Sequence, residues 1–254
     1  QGGASTGFLA TILNFMKKDG TGAYLNTGAW SKKALQEAKK LGNLNMVASS
    51  EDKNFNYIPK NYPISSNDDY LHITTNNTIF GTQIKNLPIS RIPIIADMSS
   101  DIFSRKINVS DYAMIYAGAQ KNLGPAGTTL YIVKDDLLGK TDRTIPTMLD
   151  LSVHANKGSM FNTPPVYPIY VSMLTLEWLK ANGGIEWIEK LNQEKADLIY
   201  NEIDNNPLFE GTAAKEDRSN MNVTFVLTDE SKTEQFDTLW NEAGISGING
   251  HRSV

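Results

Sequence analysis

The sequence contains no cysteine, which excludes disulfide bonds and thiolate nucleophiles. Its three histidines, His72, His154 and His251, are far apart and lack the spacing of metal ligands. Apolar runs of membrane-spanning length are missing, and so is a cationic start followed by an apolar signal core. The net charge of −4 and the scattered lysines and arginines provide no basic patch for nucleic acid or an anionic membrane. These absences predict a cytoplasmic globular protein without nucleic-acid or membrane partners.

The chain is long enough for one large domain and part of a second, since it has 254 residues. Buried-strand patterns alternate with helical patterns through most of its length, which predicts an α/β fold. After residue 206 the pattern changes to an alternating strand and a helix, which predicts a smaller α+β unit. We therefore predict a large domain over residues 1–190 and a partial small C-terminal domain over residues 191–254.

The most informative stretch is residues 117–127, Ala-Gly-Ala-Gln-Lys-Asn-Leu-Gly-Pro-Ala-Gly, which contains Lys121. The apolar runs on either side have the length and composition of buried strands. A lysine on a loop of small residues can approach a planar ligand closely and is a candidate Schiff-base nucleophile. The alternative is an ordinary solvated loop lysine.

A second candidate is Asp97, which ends the buried-strand pattern of residues 91–97. A buried carboxylate without a partner is costly. Asp97 therefore either caps the turn that follows or pairs with a cationic ring nitrogen. The order of strand, carboxylate, crossover, strand and lysine predicts that Asp97 and Lys121 lie at neighbouring strand ends.

Two further features lie near predicted helix starts. The glycine-rich loop that contains Ala4 and Ser5 precedes a helical pattern, so it is either an anion cradle or a simple capped helix start. Trp30 stands before a helix that we expect Ser31 to cap. It either packs on Leu35 as a hydrophobic staple or provides a flat platform for a planar ring, and both roles are compatible.

Polar residues after the predicted strand of residues 70–75 are candidates for ligand contacts, because open α/β sheets bind ligands at their carboxyl edge. Thr78 lies in this cluster and is either a ligand donor or a plain turn residue. His72 alternates with apolar residues in the same strand, so we expect it in the core.

A helix is predicted after Asn162-Thr-Pro-Pro, because the prolines favour an extended approach and then a helix start. Its apolar residues follow helical spacing and predict a buried stripe. The members of this stripe are Val166, Ile169, Tyr170, Met173, Leu174 and Trp178.

Several strings together resemble the phosphoserine aminotransferase family, PLP-dependent class-V aminotransferases of fold type I. They are Gly2-Gly-Ala-Ser, Asn26-Thr-Gly-Ala-Trp-Ser-Lys-Lys-Ala, Asn77-Thr-Ile-Phe-Gly-Thr, Ala96-Asp-Met-Ser-Ser-Asp, Tyr116-Ala-Gly-Ala-Gln-Lys-Asn-Leu-Gly-Pro-Ala-Gly, Asn162-Thr-Pro-Pro and Gly250-His-Arg-Ser-Val. The string around the lysine is the most specific. The resemblance implies a mostly parallel mixed sheet flanked by helices, with a partial α+β domain at the C-terminus.

The resemblance also implies roles for individual residues. Lys121 and Asp97 resemble the catalytic residues, the first binding PLP covalently and the second pairing with its ring nitrogen. The implied cofactor-binding residues are Ala4, Ser5, Trp30, Thr78, Asp97, Gln120 and Lys121, with Asn162 and Thr163 contributed by the other subunit of a homodimer. His251 and Arg252 resemble a pair that binds the substrate anion, and no metal is implied.

The implied reaction transfers the amino group of L-glutamate to 3-phosphohydroxypyruvate, which gives 2-oxoglutarate and O-phospho-L-serine in serine biosynthesis. Some bacterial relatives are also expected to act in pyridoxine biosynthesis. Family members continue beyond both ends of this chain, so we expect a portion of a longer protein with a complete cofactor site and half a substrate site. The alternatives are another fold type I aminotransferase and a PLP-binding chain without turnover.

Overall fold

The computed structural model describes residues 2–248 and 250. The helices are α1 (Ala4–Phe15), α2 (Ala29–Lys39), α3 (Leu151–Asn156), α4 (Val166–Ala181), α5 (Gly184–Asn205) and α6 (Thr233–Glu242). The strands are β1 (Thr21–Asn26), β2 (Asn43–Ser49), β3 (Tyr70–Thr74), β4 (Asn76–Asn77), β5 (Thr82–Gln83), β6 (Ile94–Asp97), β7 (Met114–Gly118), β8 (Thr129–Val133), β9 (Phe209–Gly211) and β10 (Phe225–Leu227).

The main sheet has six strands in the order β2-β1-β3-β6-β7-β8. Its first five strands are parallel, and β8 pairs with β7 in the antiparallel sense. This confirms the predicted α/β architecture with a mostly parallel mixed sheet. The non-sequential strand order places β6 between β3 and β7, so the strand that ends in Asp97 lies at the centre of the sheet.

The core lies on both faces of this sheet, as expected where parallel strands are covered by helices. One face packs against α1 and α2, and the opposite face forms a second apolar cluster. The first face includes Phe8, Ile12, Tyr24, Tyr70, Ile95, Met114 and Tyr116, and the second includes Leu25, Leu71, Ile73, Ile94, Ala96 and Ile115. Because β3, β6 and β7 are buried on both faces, their carboxyl ends hold side chains rigidly.

The strand register brings three chain segments together at the carboxyl edge. Thr74 of β3 is aligned with Asp97, and Asp97 is aligned with Tyr116 of β7. Aligned residues of parallel strands point to the same face of a sheet. The loops that follow these three strands therefore leave the sheet side by side, which is where such folds bind ligands.

The predicted buried stripe of α4 is wrong for the part of the chain that the structure describes. Val166 is 67% exposed, Trp178 is 54% exposed, and the other four members of the stripe are also exposed. The Trp178 ring does contact the Trp187 ring of α5 edge-on, at 5.6 Å between centroids. Helical periodicity predicts that an apolar face needs cover, but it does not predict which segment provides that cover.

The C-terminal part contains the predicted small α+β elements. Strands β9 and β10 form an antiparallel pair that packs on α5 through Ile203, and α6 follows. Helix α5 runs without a break through residue 190, so the proposed domain boundary falls inside a helix and stays a prediction. None of the helices in the described ranges has both the length and the apolar character to cross a membrane.

Candidate active site

A cavity of about 130 Å³ opens at the carboxyl edge of the main sheet, between α1, α2 and the ends of β3, β6 and β7. Seven of the predicted cofactor-binding residues line it. Its lining consists of Gly3, Ala4, Ser5, Phe8, Trp30, Thr74, Asn76, Thr78, Asp97, Ser99, Ser100, Gln120 and Lys121. Residues from five separate stretches of the sequence therefore meet in one place.

Lys121 lies on the loop that follows β7. Its amine donates a hydrogen bond to the Thr78 hydroxyl, with 2.6 Å between nitrogen and oxygen. Burial lowers the pKa of the Lys121 amine, and the charges of Asp97 and Asp101 act in the opposite direction. The net lowering brings the amine closer to its neutral, nucleophilic form. The cavity position and the contact with Thr78 favour the nucleophile over the solvated loop lysine.

Asp97 lies at the end of β6 and is 4% exposed. Its Oδ1 accepts hydrogen bonds from the Ser99 backbone N–H at 2.9 Å and from the Ser99 hydroxyl at 2.6 Å. The Asp97 carboxylate therefore bonds to the turn that follows β6, as one of the two alternatives predicted. The same carboxylate also lines the cavity. Burial raises the pKa of Asp97, the Ser99 hydrogen bonds lower it, Asp101 raises it and Lys121 lowers it. A cation against this carboxylate would offset the penalty of its burial.

The N-terminus of α1 faces the same cavity through Gly3, Ala4 and Ser5. Its N-cap is Gly3, which provides no side-chain cap for the first backbone N–H groups. A Cβ on Gly118 would lie 2.9 Å from the Ala4 backbone nitrogen, so glycine at that position allows α1 to approach the end of β7. N–H groups without a side-chain cap and the helix dipole suit an anion, which favours the cradle over the simple helix start.

Trp30 lies in the first turn of α2 and lines the cavity, as a ring platform requires. The Lys33 ammonium lies 4.3 Å from the centroid of its ring. The predicted N-cap was wrong by three residues, because Gly28 is the N-cap of α2. The Ser31 hydroxyl instead reaches back and accepts hydrogen bonds from the backbone N–H groups of Thr27 and Gly28.

The structure adds cavity residues that the sequence reasoning missed. They are Gly3, Phe8, Thr74, Ser99 and Ser100, whereas Asn76 belongs to the polar cluster that was predicted after the strand of residues 70–75. A signal for the two serines existed, because they lie two and three positions after Asp97 in the chain. Thr74 has a buried hydroxyl without a partner among the described residues, but nothing in its sequence separates it from other strand threonines. Phe8 follows the helical periodicity of a core residue, and its additional contact with the cavity depends on the helix position.

The remaining predicted site residues lie elsewhere. Asn162 and Thr163 precede α4 and are not part of the cavity of this chain. His251 and Arg252 lie outside the described residues. His72 is completely buried, as predicted, and its Nε2 lies 2.8 Å from the Tyr116 hydroxyl oxygen.

The donor set fits PLP, a planar cofactor with an aldehyde, a basic ring nitrogen and a phosphate. An amine with a lowered pKa suits the aldehyde, and a buried carboxylate suits a protonated ring nitrogen. An uncapped helix N-terminus suits the phosphate. An indole at the wall of the cavity suits the flat ring. These four features belong to Lys121, Asp97, the start of α1 and Trp30.

Comparison with known proteins supports the same chemistry. The family model for class-V aminotransferases matches residues 2–254. A phosphoserine aminotransferase of Flavobacterium johnsoniae is 59% identical over 254 residues, which span 100% of this chain and 71% of that protein. A phosphoserine aminotransferase of Bacteroides fragilis is 54% identical over 255 residues, with 100% and 71% covered.

Solved structures of phosphoserine aminotransferases are also similar to this chain. The phosphoserine aminotransferase of Bacillus circulans subsp. alkalophilus has a TM-score of 0.95 and 42% identity, covering 100% of this chain and 71% of that one. A PLP-bound phosphoserine aminotransferase of Trichomonas vaginalis has a TM-score of 0.93 and 32% identity, covering 100% and 74%.

Proposed function

This chain belongs to the class-V aminotransferase family, and we propose that it acts as a PLP-dependent phosphoserine aminotransferase in serine biosynthesis. The amino group passes between L-glutamate and 3-phosphohydroxypyruvate, with 2-oxoglutarate and O-phospho-L-serine as products. The observation that carries this proposal is the meeting of Lys121, Asp97 and the start of α1 in one cavity.

Lys121 is the proposed nucleophile and proton carrier. When bound, PLP supplies an electron sink that accepts the electron pair of the substrate Cα–H bond. The Lys121 amine can attack the cofactor aldehyde only when the amine is neutral, and burial favours the neutral form. With PLP bound, the Lys121 Nζ would take the proton from the substrate Cα and deliver it to the cofactor carbon that carries the aldehyde. The hydrogen bond to Thr78 aims the amine within the cavity.

Asp97, Trp30 and Thr78 are the proposed contacts of the cofactor ring. Asp97 keeps the ring nitrogen protonated, since a buried carboxylate stabilises an adjacent cation. Trp30 provides the flat surface against the ring. Thr78 offers a hydroxyl to the ring oxygen next to the aldehyde.

Ala4, Ser5 and Gln120 are the proposed contacts of the cofactor phosphate in this chain. The backbone N–H groups at the start of α1 are donors without a side-chain cap. The positive end of the helix dipole adds an attraction for the phosphate charge. These donors belong to the first turn of a helix that packs on the sheet through Phe8 and Ile12, so the helix would hold them in place for the phosphate.

The substrate contacts are proposed for His251 and Arg252, which lie outside the described residues. A guanidinium presents a planar fork of donors that suits the carboxylate of glutamate and the phosphate of phosphoserine. Their assignment rests on the resemblance of the string Gly250-His-Arg-Ser-Val.

We also propose a cytoplasmic homodimer in which Asn162 and Thr163 of each chain complete the phosphate site of the other. Two observations support it. Both residues lie outside the cavity of their own chain. The apolar face of α4, which directly follows them, is exposed in a single chain, including Tyr170 at 54% and Met173 at 44%. An exposed apolar surface of this kind is typical of an interface.

The experiment that tests the cofactor assignment is spectroscopic. The purified protein is mixed with PLP, reduced with borohydride and digested, and the modified peptide is mapped. We expect a visible band that is lost on reduction, and a label on Lys121. Lys121→Ala should abolish both, while the exposed loop variant Lys140→Ala should retain both. A label on any other lysine would contradict the assignment.

The substrate assignment is tested by amino donors. Phosphoserine should convert the visible band to the pyridoxamine form faster than alanine or serine, because only phosphoserine has the second anion. Equal rates would favour another aminotransferase of the same fold. A band that glutamate never shifts would favour a PLP-binding chain without turnover.

The homodimer is tested by mass and by complementation. Sedimentation should give twice the mass of 28.1 kDa. A mixture of inactive Lys121→Ala and weakened Asn162→Ala chains should recover activity, because mixed dimers contain one site with neither substitution. A monomer with full PLP affinity would overturn this part of the proposal.

A further inference from the structure

We propose that Ser219 is a positioning residue, which holds the turn that carries Thr78 in place through a buried hydrogen bond to Asn76. The inference rests on the proposed function, in which Thr78 aims the Lys121 amine. Ser219 is completely buried and does not line the cavity, so it acts on the reaction only through the residues that it contacts.

Thr78 lies in the turn between β4 and β5. These strands pair only with each other, with Asn76 opposite Gln83, and we call residues 76–83 the cavity hairpin. A two-stranded hairpin is marginally stable by itself. The position of Thr78 therefore depends on what holds the cavity hairpin from outside. Asn76, at the base of the hairpin, also lines the cavity.

The segment of residues 218–224 lies against the cavity hairpin. The Ser219 backbone N–H donates to the Gly81 carbonyl at 2.8 Å. The Thr224 hydroxyl donates to the Phe80 carbonyl at 3.3 Å. Both carbonyls belong to the hairpin, close to the turn. A segment from the C-terminal part of the chain thus fastens the element that carries Thr78.

Side chains form the strongest part of this junction. The Ser219 hydroxyl donates to Asn76 Oδ1 at 2.5 Å, across 143 positions of sequence. The Asn76 Nδ2 donates to the Ser100 hydroxyl at 2.9 Å and to Asn222 Oδ1 at 2.8 Å. The Ser219 oxygen in turn accepts from the backbone N–H groups of Met221 at 2.9 Å and Asn222 at 3.0 Å.

The hydrogen-bonding capacity of these groups fixes the orientation of the Asn76 amide. A hydroxyl has one proton and two lone pairs, and both lone pairs of Ser219 accept from backbone N–H groups. Its proton therefore goes to Asn76, whose oxygen must face Ser219. The two Nδ2 protons then point to Ser100 and Asn222, so the amide has no proton left for a ligand. A buried network in which every donor is used is rigid.

Loss of the Ser219 hydroxyl should loosen the cavity hairpin without unfolding it. The Asn76 oxygen loses its donor, and two backbone N–H groups lose their acceptor. The hairpin keeps a second attachment, because the Thr27 hydroxyl donates to Asn77 Oδ1 at 3.2 Å. Thr78 is then held less firmly, and so is the amine that it contacts.

The first experiment compares two buried serines. Ser219→Ala removes the link, and Ser104→Ala is the matched control. Ser104 is 3% exposed, its hydroxyl bonds to the Asp101 carbonyl, and it does not line the cavity. We expect the first-order rate of amino transfer from phosphoserine, measured by stopped-flow absorbance, to fall about fivefold in Ser219→Ala and less than twofold in Ser104→Ala.

A double variant separates positioning from a general structural role. Because Ser219 acts through Thr78, its loss should add less than twofold to the effect of Thr78→Val. Independent effects of about tenfold and fivefold would multiply to about 50-fold, and that result would overturn the inference.

A readout without PLP follows the cavity hairpin directly. Amide exchange of the apo-protein is measured by mass spectrometry on peptides that contain residues 76–83. We expect exchange there to be about fivefold faster in Ser219→Ala than in Ser104→Ala, because local opening of the hairpin becomes easier. Equal exchange in the two variants would overturn the inference.

A milder pair keeps the inference testable if Ser219→Ala fails to fold. Asn222→Ala removes the acceptor of an Asn76 proton, whereas Asn220→Ala removes a side chain that bonds to Gln193 at 2.7 Å. Exchange of the cavity hairpin should accelerate in Asn222→Ala alone. The same exchange in both variants would contradict the link.

The outcomes separate this inference from the proposed function. If the unmodified protein fails to bind PLP at Lys121, the proposed function is wrong. If it binds PLP there and Ser219→Ala transfers the amino group as fast as Ser104→Ala, the function stands and the positioning role is wrong.

Discussion

The Lys121 amine nitrogen lies 2.6 Å from the Thr78 hydroxyl oxygen, inside the cavity that both residues line. This contact joins the loop after β7 to the turn between β4 and β5, two segments that are separated in sequence by more than forty residues. It restricts the amine within the cavity, which the Asp97 carboxylate also lines.

Thr78→Val removes the acceptor of this hydrogen bond and preserves the branched shape of the side chain. We expect the first-order rate of amino transfer to fall about tenfold, because the amine loses a contact that holds its orientation. Stopped-flow absorbance with phosphoserine measures this rate. Thr238→Val, an exposed change on α6, should leave it unaltered. An unaltered rate in Thr78→Val would show that the contact does not orient the amine.

Asp97→Asn removes the charge of the carboxylate. It retains the shape of the side chain and much of the contact with Ser99. We expect turnover to fall by about 100-fold or more, because a neutral amide no longer keeps the ring nitrogen protonated. Asp101→Asn is the matched control, since Asp101 is also 4% exposed but pairs with Thr75, Gln83 and Arg105 outside the cavity. The control should lower stability and leave PLP affinity near normal. Equal losses of turnover in the two variants would contradict the assigned role of Asp97.

His72 should make the protein sensitive to mild acid. Burial lowers its pKa from 6.5 to about 3, so between these values the unfolded chain binds a proton that the folded protein does not. Stability therefore falls as the pH drops through this window, by up to about 1.4 kcal/mol per pH unit. Relative to pH 7, the loss at pH 5 is about 2 kcal/mol.

Urea unfolding of the apo-protein at pH 7 and pH 5 measures this effect. The acid-dependent loss should largely disappear in His72→Gln and remain in His154→Gln. The raised pKa values of Asp97 and Asp101 increase stability as the pH falls, in opposition to His72. Both carboxyl groups are present in the unmodified protein and in His72→Gln, so the comparison isolates His72. The same loss in His72→Gln as in the unmodified protein would refute this account.

Gly118→Ala should push the start of α1 away from the end of β7. The added Cβ would lie 2.9 Å from the Ala4 backbone nitrogen, and backbone atoms at that distance must move. We expect PLP to stabilise the variant much less than the unmodified protein, where PLP at 100 times its dissociation constant contributes about 2.7 kcal/mol. Thermal unfolding with and without PLP measures the difference, and an undiminished stabilisation would show that α1 does not hold the phosphate.

Local sequence patterns were sufficient for the strands that carry the site. β6 and β7 appear in the sequence as short apolar runs. Asp97, which ends β6, and Lys121, which follows β7 by three positions, stand out because charged residues are rarely fully buried. The pattern also identified α1 and its glycine-rich start. These features are local, so they depend on residues within a few positions of each other.

Non-local features were predicted less well. Gly28 is the N-cap of α2, so Ser31 lies inside the first turn of the helix. Its hydroxyl accepts a hydrogen bond from the Gly28 backbone N–H. The cover of the α4 face depends on another segment or another chain, about which helical spacing carries no information. Thr74 lies beside Asp97 at the cavity only because β3 pairs with β6, a pairing that the order of strands along the chain does not predict.

The sequence by itself determined which chemical groups are present and roughly where each strand and helix ends, because backbone preferences and apolar periodicity act over short distances. The tertiary structure alone decided which of these groups meet. The strand order placed β6 between β3 and β7, so that Asp97 lies beside Tyr116 in the sheet and bonds to Ser99. Burial also determined the pKa shifts, since removal of water from Asp97, Lys121 and His72 is a property of their surroundings and not of their residue types.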